Sequence, residues 1–293
     1  PIIRREDGKQ VKPFTNGVLN AYLGKNKSSK FPTVDDPACT SPEALRFLDM
    51  LGLKHPDPID TIIEDNISKY KKENLSIEWE DYKNDIEAIA NAFSDANSED
   101  QVRLRDVLSN AHIIWATLQT DGVDYLSTPN QAYWPTSRLK SLFSNLKDIY
   151  LVSEKVLSLQ GDKIRKMFES IGVKATFRRY EIEGGEYAFK KNLRTLAGKP
   201  NLGRYENFKD YGIVGLEGLF QEIHSDPINK KHLSKLIWEE LTQFENEWGR
   251  ASFKGSYNWT YHGNHEANPF DSYFIRLLND KPWIVADEFN LLS

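Results

Sequence analysis

One order of residue types occurs twice in this chain, and it constrains the fold more than any other feature of the sequence. Residues 1–57 contain "PIIRREDGKQVKPFTNGVLNAYL", then "KFPTV", then "EALRFLDMLGLKHPD". Residues 112–178 contain "HIIWATLQTDGVDYLSTPNQAYW", then "DIYLV", then "DKIRKMFESIGVKATFR". Each run gives an apolar strand, Asp-Gly, an apolar residue, proline, tyrosine, a short strand and a helix. Each closes on an apolar-Gly pair followed by Leu or Val and then Lys. Asp7-Gly8 and Asp121-Gly122 are 114 residues apart, and the closing glycines Gly52 and Gly172 are 120 apart. Self-similarity of this kind predicts units that share packed interfaces. A third copy is expected to open at "IRLLNDKPWIVAD", which aligns without gaps on "RDVLSNAHIIWAT".

The repeat also bears on Asp121, whose place before a glycine and near adjacent aromatics invites a catalytic reading. Asp-Gly suits a tight two-residue hairpin turn in which both positions take positive φ. A turn that recurs at Asp7-Gly8 needs no chemistry. The proline that follows, Pro13 or Pro129, ends ladder pairing, and Tyr22 or Tyr133 is placed to pack under the next helix.

Helices are marked by their caps. Ser41-Pro42-Glu43 opens one whose face carries Leu45, Leu48 and Leu51, and Gly52 ends it. Asp57-Pro58 opens another with Ile59, Ile62, Ile63 and Ile67 on one side. Trp79, Tyr82, Ile86, Ile89 and Phe93 mark a third. Ser98 with Gln101 reads as a capping box, and Asp162 as the cap of a helix closed by Gly172. Asp226-Pro227 opens the longest helix, with Leu233, Leu236, Ile237, Leu241, Phe244 and Trp248 in register. Strands are fewer: "PIIRR", "HIIWATL", "DIYLV", "SFKGSYNWTYH" and "KPWIVAD".

The expected fold is therefore α+β and mainly helical, with repeated β-hairpin-plus-helix units separated by helical bundles. The expected divisions are 1–57 (first repeat), 58–110 (helical spacer) and 111–180 (second repeat). They continue as 181–275 (helical spacer with an aromatic hairpin) and 276–293 (start of a third repeat, truncated). The abrupt strand-like start, without a methionine, reads as a piece of a longer protein.

Composition excludes several functions. The single cysteine, Cys39 in "DPACTSP", excludes an internal disulfide and any thiol cluster for zinc, and fits a cytoplasmic protein. No apolar run reaches the ~18 residues of a membrane span. The phosphate loop G-x-x-x-x-G-K-[ST] and the nucleophile elbow G-x-S-x-G are absent. "YHGNHEANPFD" offers His262, His265 and Glu266 at metal-ligand spacing, but Gly263, Asn264 and Pro269 argue for a loop and no third ligand is evident. His55, His112, His224 and His232 stand singly, and Glu239-Glu240 reads as a solvated helix pair. No cofactor or metal is expected.

Charge is uneven, although the whole chain carries only −5. Residues 60–100 hold 12 acidic and 4 basic residues, and residues 161–209 hold 12 basic and 6 acidic. The basic stretch interleaves Lys and Arg with Phe168, Phe177, Tyr180, Phe189 and Tyr205. Cations neutralise phosphates and aromatic rings stack on bases. Lys163, Lys166, Arg178, Arg179, Lys190, Lys191 and Arg194 are accordingly candidate contacts to DNA or RNA, if they share one exposed face. The competing reading pairs them with the acidic region. The aromatic run Phe253, Tyr257, Trp259, Tyr261 reads as the core side of a strand.

The string "PIIRREDGKQVKP…FPTV…EALRFLDMLGLKHPDPIDTIIEDNISKY" resembles regions downstream of the ATPase in large sacsin-like proteins. The segments "HIIWATLQTDG…P…YW…IYLV…IGVKATFRRY" and "FDSYFIRLLNDKPWIVAD" resemble the same region. The resemblance touches most of the chain and rests on packing and turn residues. It implies a parent with an N-terminal ATPase of the heat-shock-ninety/histidine-kinase (GHKL) type, often with a C-terminal Nov domain, in microbial DNA-restriction or phage-defence contexts. The ATPase motifs are not in this stretch: no D-x-G-x-G occurs, and "EIEGGEY" and "GIVGLEG" lack the required neighbours. What the resemblance implies here is a non-catalytic segment that links or transmits motion between the ATPase and partner domains of the parent. A nucleic-acid-binding module is the alternative, and a hydrolase built on the His262 region a weaker third.

Overall fold

The computed structural model describes residues 2–15, 18–24, 32–35, 41–71, 76–159, 161–182, 187–198, 204–260, 263–285 and 291–292. The chain is α+β and mainly helical, as expected. It divides into two compact units. The first is Pro1–Trp115 with Tyr125–Asn130 and Glu154–Val173, and the second is Ala116–Asp124 with Gln131–Ser153 and Lys174–Ser293.

The first unit opens on hairpin β1 (Ile3–Arg4) and β2 (Gln10–Val11), with Ile3 opposite Val11. A smaller hairpin, β3 (Phe14–Thr15) and β4 (Val18–Leu19), follows. Helix α1 (Pro42–Met50) begins where Ser41 Oγ accepts from Ala44 N, with proline in the first turn. It ends at Gly52, whose φ of 81° lets Leu53 N return to Leu48 O. Ile3, Ala21, Leu23, Val34, Leu48 and Leu53 close the core of this module.

The Asp57-Pro58 helix is less regular than its spacing predicts. Asp57 and Asp60 form a reciprocal capping box for α2 (Pro58–Thr61). The backbone then widens into a π-turn over Ile62–Asn66 and tightens to 3-10 over Ile67–Lys71. The changes of pitch keep Ile59 and Ile67 buried, while Ile62 and Ile63 are half-buried. Helices α3 (Trp79–Asp95) and α4 (Ser98–Leu108) follow. The cap of α4 is Asn97, one residue before the expected Ser98, because its side chain reaches Asp100 N. Gln101 donates to Phe93 O instead of closing a box.

The second hairpin joins β5 (Ile114–Leu118) to β6 (Asp124–Ser127). Strands β7 (Ala132–Tyr133) and β8 (Tyr150–Val152) flank helix α5 (Ser137–Phe143). The sheet runs β6-β5-β8-β7, with β8 antiparallel to β5 and parallel to β7. Helices α6 (Glu154–Leu157) and α7 (Asp162–Ile171) come next. Gly161 rather than Asp162 is the cap of α7, so Asp162 is its first residue.

The rest of the chain belongs to the second unit. Strand β9 (Arg179–Glu181) pairs with β11 (Tyr211–Ile213), and α8 (Tyr187–Leu196) and β10 (Arg204–Lys209) lie between them in sequence. Helix α9 (Leu216–Ser225) leads to α10 (Pro227–Trp248), the longest helix, capped by Asp226 as expected. Leu233, Ile237 and Phe244 of α10 share a core with Leu139 and Leu142 of α5 and Leu219 and Phe220 of α9. Strand β12 (Lys254–Thr260) pairs with β10, β13 (Asn264–Glu266) and β14 (Phe270–Asp271). Tyr257 is fully buried, on the core side of its strand, while Tyr261 lies outside the described residues. Helix α11 (Tyr273–Asp280) precedes the last hairpin, β15 (Ile284–Val285) and β16 (Leu291–Leu292).

The two modules share several backbone links. Tyr22 bridges Thr33 in parallel, and Tyr133 pairs in parallel with Leu151. The link from the hairpin to the short strand differs in register: Glu6 N donates to Thr33 O, the residue that bridges Tyr22, whereas Gln119 N donates to Ile149 O, two residues before Leu151. Leu23 N donates to Lys54 O at 2.9 Å, and Trp134 N to Lys174 O at 2.7 Å. Val173 N returns to Phe168 O as Leu53 N does to Leu48 O. The last hairpin sets Ile284 against Leu292 and Val285 against Leu291, the same spacing as Ile3 against Val11 and Arg4 against Gln10.

The turns themselves differ from the expected two-residue type. Arg5 N bonds Lys9 O around a three-residue loop, and Leu118 N bonds Val123 O around a four-residue loop. Only the glycines take positive φ, 81° at Gly8 and 69° at Gly122. Each aspartate instead accepts the N–H two residues on, Asp7 from Lys9 and Asp121 from Val123. That Asx bond holds the aspartate on the ordinary side of φ.

Candidate functional site

The seven candidate cations are divided between the two units. Lys163 and Lys166 stand on α7 in the first unit, and the other five belong to the second. Lys163 Nζ lies 2.9 Å from Asn91 Oδ1 and 3.6 Å from Asp95, so it pairs with acidic α3. Lys166 and Lys191 are exposed, and Lys190 is half-buried.

The arginines are held by internal partners. Arg178 is half-buried, donates to Ala132 O at 3.0 Å, and sits 4.7 Å from the centre of the Tyr133 ring. Burial holds the guanidinium below its usual pKa, opposed by Tyr133 and Glu247. The same burial pushes the Tyr133 hydroxyl up to about 12, with Arg178 pulling the other way. Arg179 lies 4.1 Å from the Tyr211 ring centre and 5.2 Å from that of Trp248. Arg194 is 3% exposed and forks onto Glu206, with Nε to Oε1 at 2.6 Å. Tyr257 donates to the same Oε1 at 2.6 Å. The condition that all seven share one exposed face is therefore not met, because Arg194 is buried. Arg194 lies within the packed interior, where a buried cation needs its carboxylate partner, and Arg178 is half-buried against Ala132 and Tyr133.

A β-bulge in β10 sets the Glu206 partnership. The register of β10 on β12 shifts by one residue between Arg204 and Asn207. The extra residue turns Glu206 toward Arg194 and Tyr257, and Tyr205, with φ of 49°, is 87% exposed. Tyr205 lines a cavity of about 390 Å³ with Asn207, Asn258, Trp259, Thr260, Asn264, His265 and Glu266. A more apolar cavity of about 580 Å³ lies between α8 and α11, lined by Leu193, Leu196, Leu277 and Arg276.

Other ionisable groups form internal cross-links. Asp60 is buried and accepts from Arg103 at 2.6 Å, with Lys54 and Asp57 beside it. Asp85 is buried and accepts from Asn66, Lys69 and Tyr70. Asp210 accepts from Tyr211 N, Tyr273 N and Arg276. Glu240, expected as a solvated helix position, is fully buried and takes Arg138 Nε at 2.9 Å. Glu239, its neighbour, turns to Lys235. The reason is helical period: Glu240 falls on the stripe of Leu233, Ile237 and Phe244.

The histidines stand apart. His265 stacks on Trp259, His224 Nδ1 lies 2.9 Å from Phe220 O, and His232 Nδ1 lies 3.2 Å from Asn229 O. His262 and Cys39 lie outside the described residues. Among the described residues no group of three or more His, Cys, Asp or Glu side chains could hold a metal ion. No described helix is long and apolar enough to cross a membrane. Comparison with protein-family models, with curated proteins and with solved structures found no match.

Proposed function

We propose that this chain is a non-catalytic scaffold segment, an array of hairpin-plus-helix modules that couples an ATPase to partner domains in a larger sacsin-like protein of anti-phage defence. The observation that carries this reading is the recurrence in both modules of the parallel tyrosine pairing, the bond made by the residue after it, and the helix closure. What recurs is turn, strand pairing and helix closure, not a constellation of reactive groups. Asp121 uses a carboxylate oxygen on its own turn, as Asp7 does. A repeated packing unit is the sequence signature of an array whose stability comes from neighbour interfaces.

The test has two parts. Calorimetric titration of the chain with Mg-ATP is expected to give no micromolar binding. In the longer ATPase, Asp121→Asn is expected to leave turnover unchanged. Leu151→Asp, which puts a charge on a nearly inaccessible strand position, is expected to uncouple turnover from partner binding. Loss of turnover in Asp121→Asn at unchanged melting temperature would refute the scaffold reading.

A further inference from the structure

We infer that the exposed face of α1 is a docking surface for a helix pair built like α3–α4, presented by another unit of the array. The inference rests on the array reading and names one of its interfaces. It comes from the internal equivalence of α1 and α7. Aligning Gly52 on Gly172 places Phe47 on Met167, Leu48 on Phe168, Leu51 on Ile171 and Ala44 on Ile164.

Helix α7 has its apolar positions covered. Ile164, Met167, Phe168 and Ile171 are all buried, and α7 packs against both α3 and α4. Ser109 Oγ, just past α4, approaches Ile171 O, and Lys163 reaches Asn91 and Asp95 on α3. Helix α1 buries only Leu48, the equivalent of Phe168, against its own module. Phe47, the equivalent of buried Met167, is 52% exposed. In the module where this position is buried, the helix that carries it packs against α3 and α4.

A second observation points the same way. At two positions where α7 carries polar side chains, Arg165 and Ser170, α1 carries Leu45 and Met50. Leu45 is 39% and Met50 85% exposed. An apolar face wider than that of α7, and left open, marks an interaction site more than a solvated helix.

Charge defines the partner further. Where α7 has Lys163 facing acidic α3, α1 has Glu43. The docking pair should therefore carry a lysine or arginine at the place of Asp95. That reversal would keep α3–α4 pairs from docking on the wrong module.

The test adds such a pair to the whole chain. A copy of residues 76–111 carrying Asp95→Lys is fused ahead of Pro1, in the relation the natural copy has to the second hairpin. Amide hydrogen exchange of α1 is then measured in fused and unfused chains. Exchange is expected to slow by about tenfold or more in the fusion, since covered helices exchange through rarer openings. Phe47→Asp within the fusion should restore the unfused rate, and a fused copy retaining Asp95 should protect less. Equal exchange in fused and unfused chains would overturn the proposal. So would concentration-dependent dimerisation of the unfused chain that Phe47→Asp abolishes, because the occupant would then be a second copy. The array reading stands or falls separately, on ATP titration and the Asp121→Asn variant.

Discussion

Replacing Asp210 should cost the second unit more than any surface ion pair could. Asp210 is fully buried, and its carboxylate accepts from Tyr211 N at 2.9 Å, Tyr273 N at 2.7 Å and Arg276 at 2.8 Å. Tyr273 N is the first amide of α11, so Asp210 caps that helix from a distant strand end. Asp210→Ala leaves a guanidinium and two amides without this acceptor. Breaking a buried pair by removing one partner costs about 3–5 kcal/mol. Arg276 is still 21% exposed and keeps Asp271 O as an acceptor, which puts the expected loss near the lower end, about 3 kcal/mol. Asp210→Asn keeps an oxygen for the amides and gives up a charged hydrogen bond, about 1.5–3 kcal/mol. Urea unfolding with hydrogen exchange of α11 measures both. A double-mutant cycle with Arg276→Leu should return a coupling of about 1–3 kcal/mol. A loss under about 1 kcal/mol in Asp210→Ala, or additive single variants, would show that the carboxylate is not the joint described here.

The turn reading expects Asp121→Asn to cost within about 0.5 kcal/mol, because asparagine can make the same Asx bond, while Gly122→Val should cost about 1 kcal/mol or more at φ of 69°; thermal melts decide. Acid should weaken the first unit through Asp57. Partial burial alone would raise its pKa, but the hydrogen bonds from Lys54 and Asp60 N and the charges of Lys54 and Arg103 hold it below its usual value. A depressed folded pKa gives stability that is present above the unfolded value, about 3.9, and lost as pH falls below it. Asp57→Asn should flatten that part of the stability curve. Alkali should act in the opposite sense. Burial raises Tyr133 and Tyr257 to about 12, and the hydrogen bond to Glu217 followed by burial raises Tyr273 to about 12. Raised folded values give stability that is full below about pH 10 and lost as pH climbs toward 12. Absorbance titration at high pH should show these phenols ionising late and together with unfolding.

What the sequence discloses divides by range. Asp226-Pro227 and the apolar stripe to Trp248 define α10 locally, and the structure follows them. The module order was legible because its signals, Asp-Gly, tyrosine and the closing glycine, are each short-range. Helix α9 was not legible, because Gly215 and Gly218 look like breakers. They are needed for a tertiary reason: a Cβ at either would stand 2.9 Å from a methyl of Leu146. The internal partners of Arg178 and Arg194 were hidden for the same reason. Nothing near Arg178 names Ala132 or Tyr133 as its partner, and nothing near Arg194 announces that a bulge will turn Glu206 inward. No glycine marks that bulge, since Tyr205 itself takes the left-handed conformation.

The division of the chain has a consequence for synthesis. The polypeptide passes between its two compact units five times, at 115/116, 124/125, 130/131, 153/154 and 173/174. As it leaves the ribosome, α3 and α4 emerge well before α7, which supplies Met167 and Phe168 to the same unit. The first unit cannot finish until residue 173 is out, and residues 116–124 and 131–153 must wait for strands and helices made still later. Domains that complete in sequence shield their apolar faces early, but an interleaved pair leaves both open until late in translation. Stalled or truncated products of this chain should therefore depend on chaperones far more than the finished protein does.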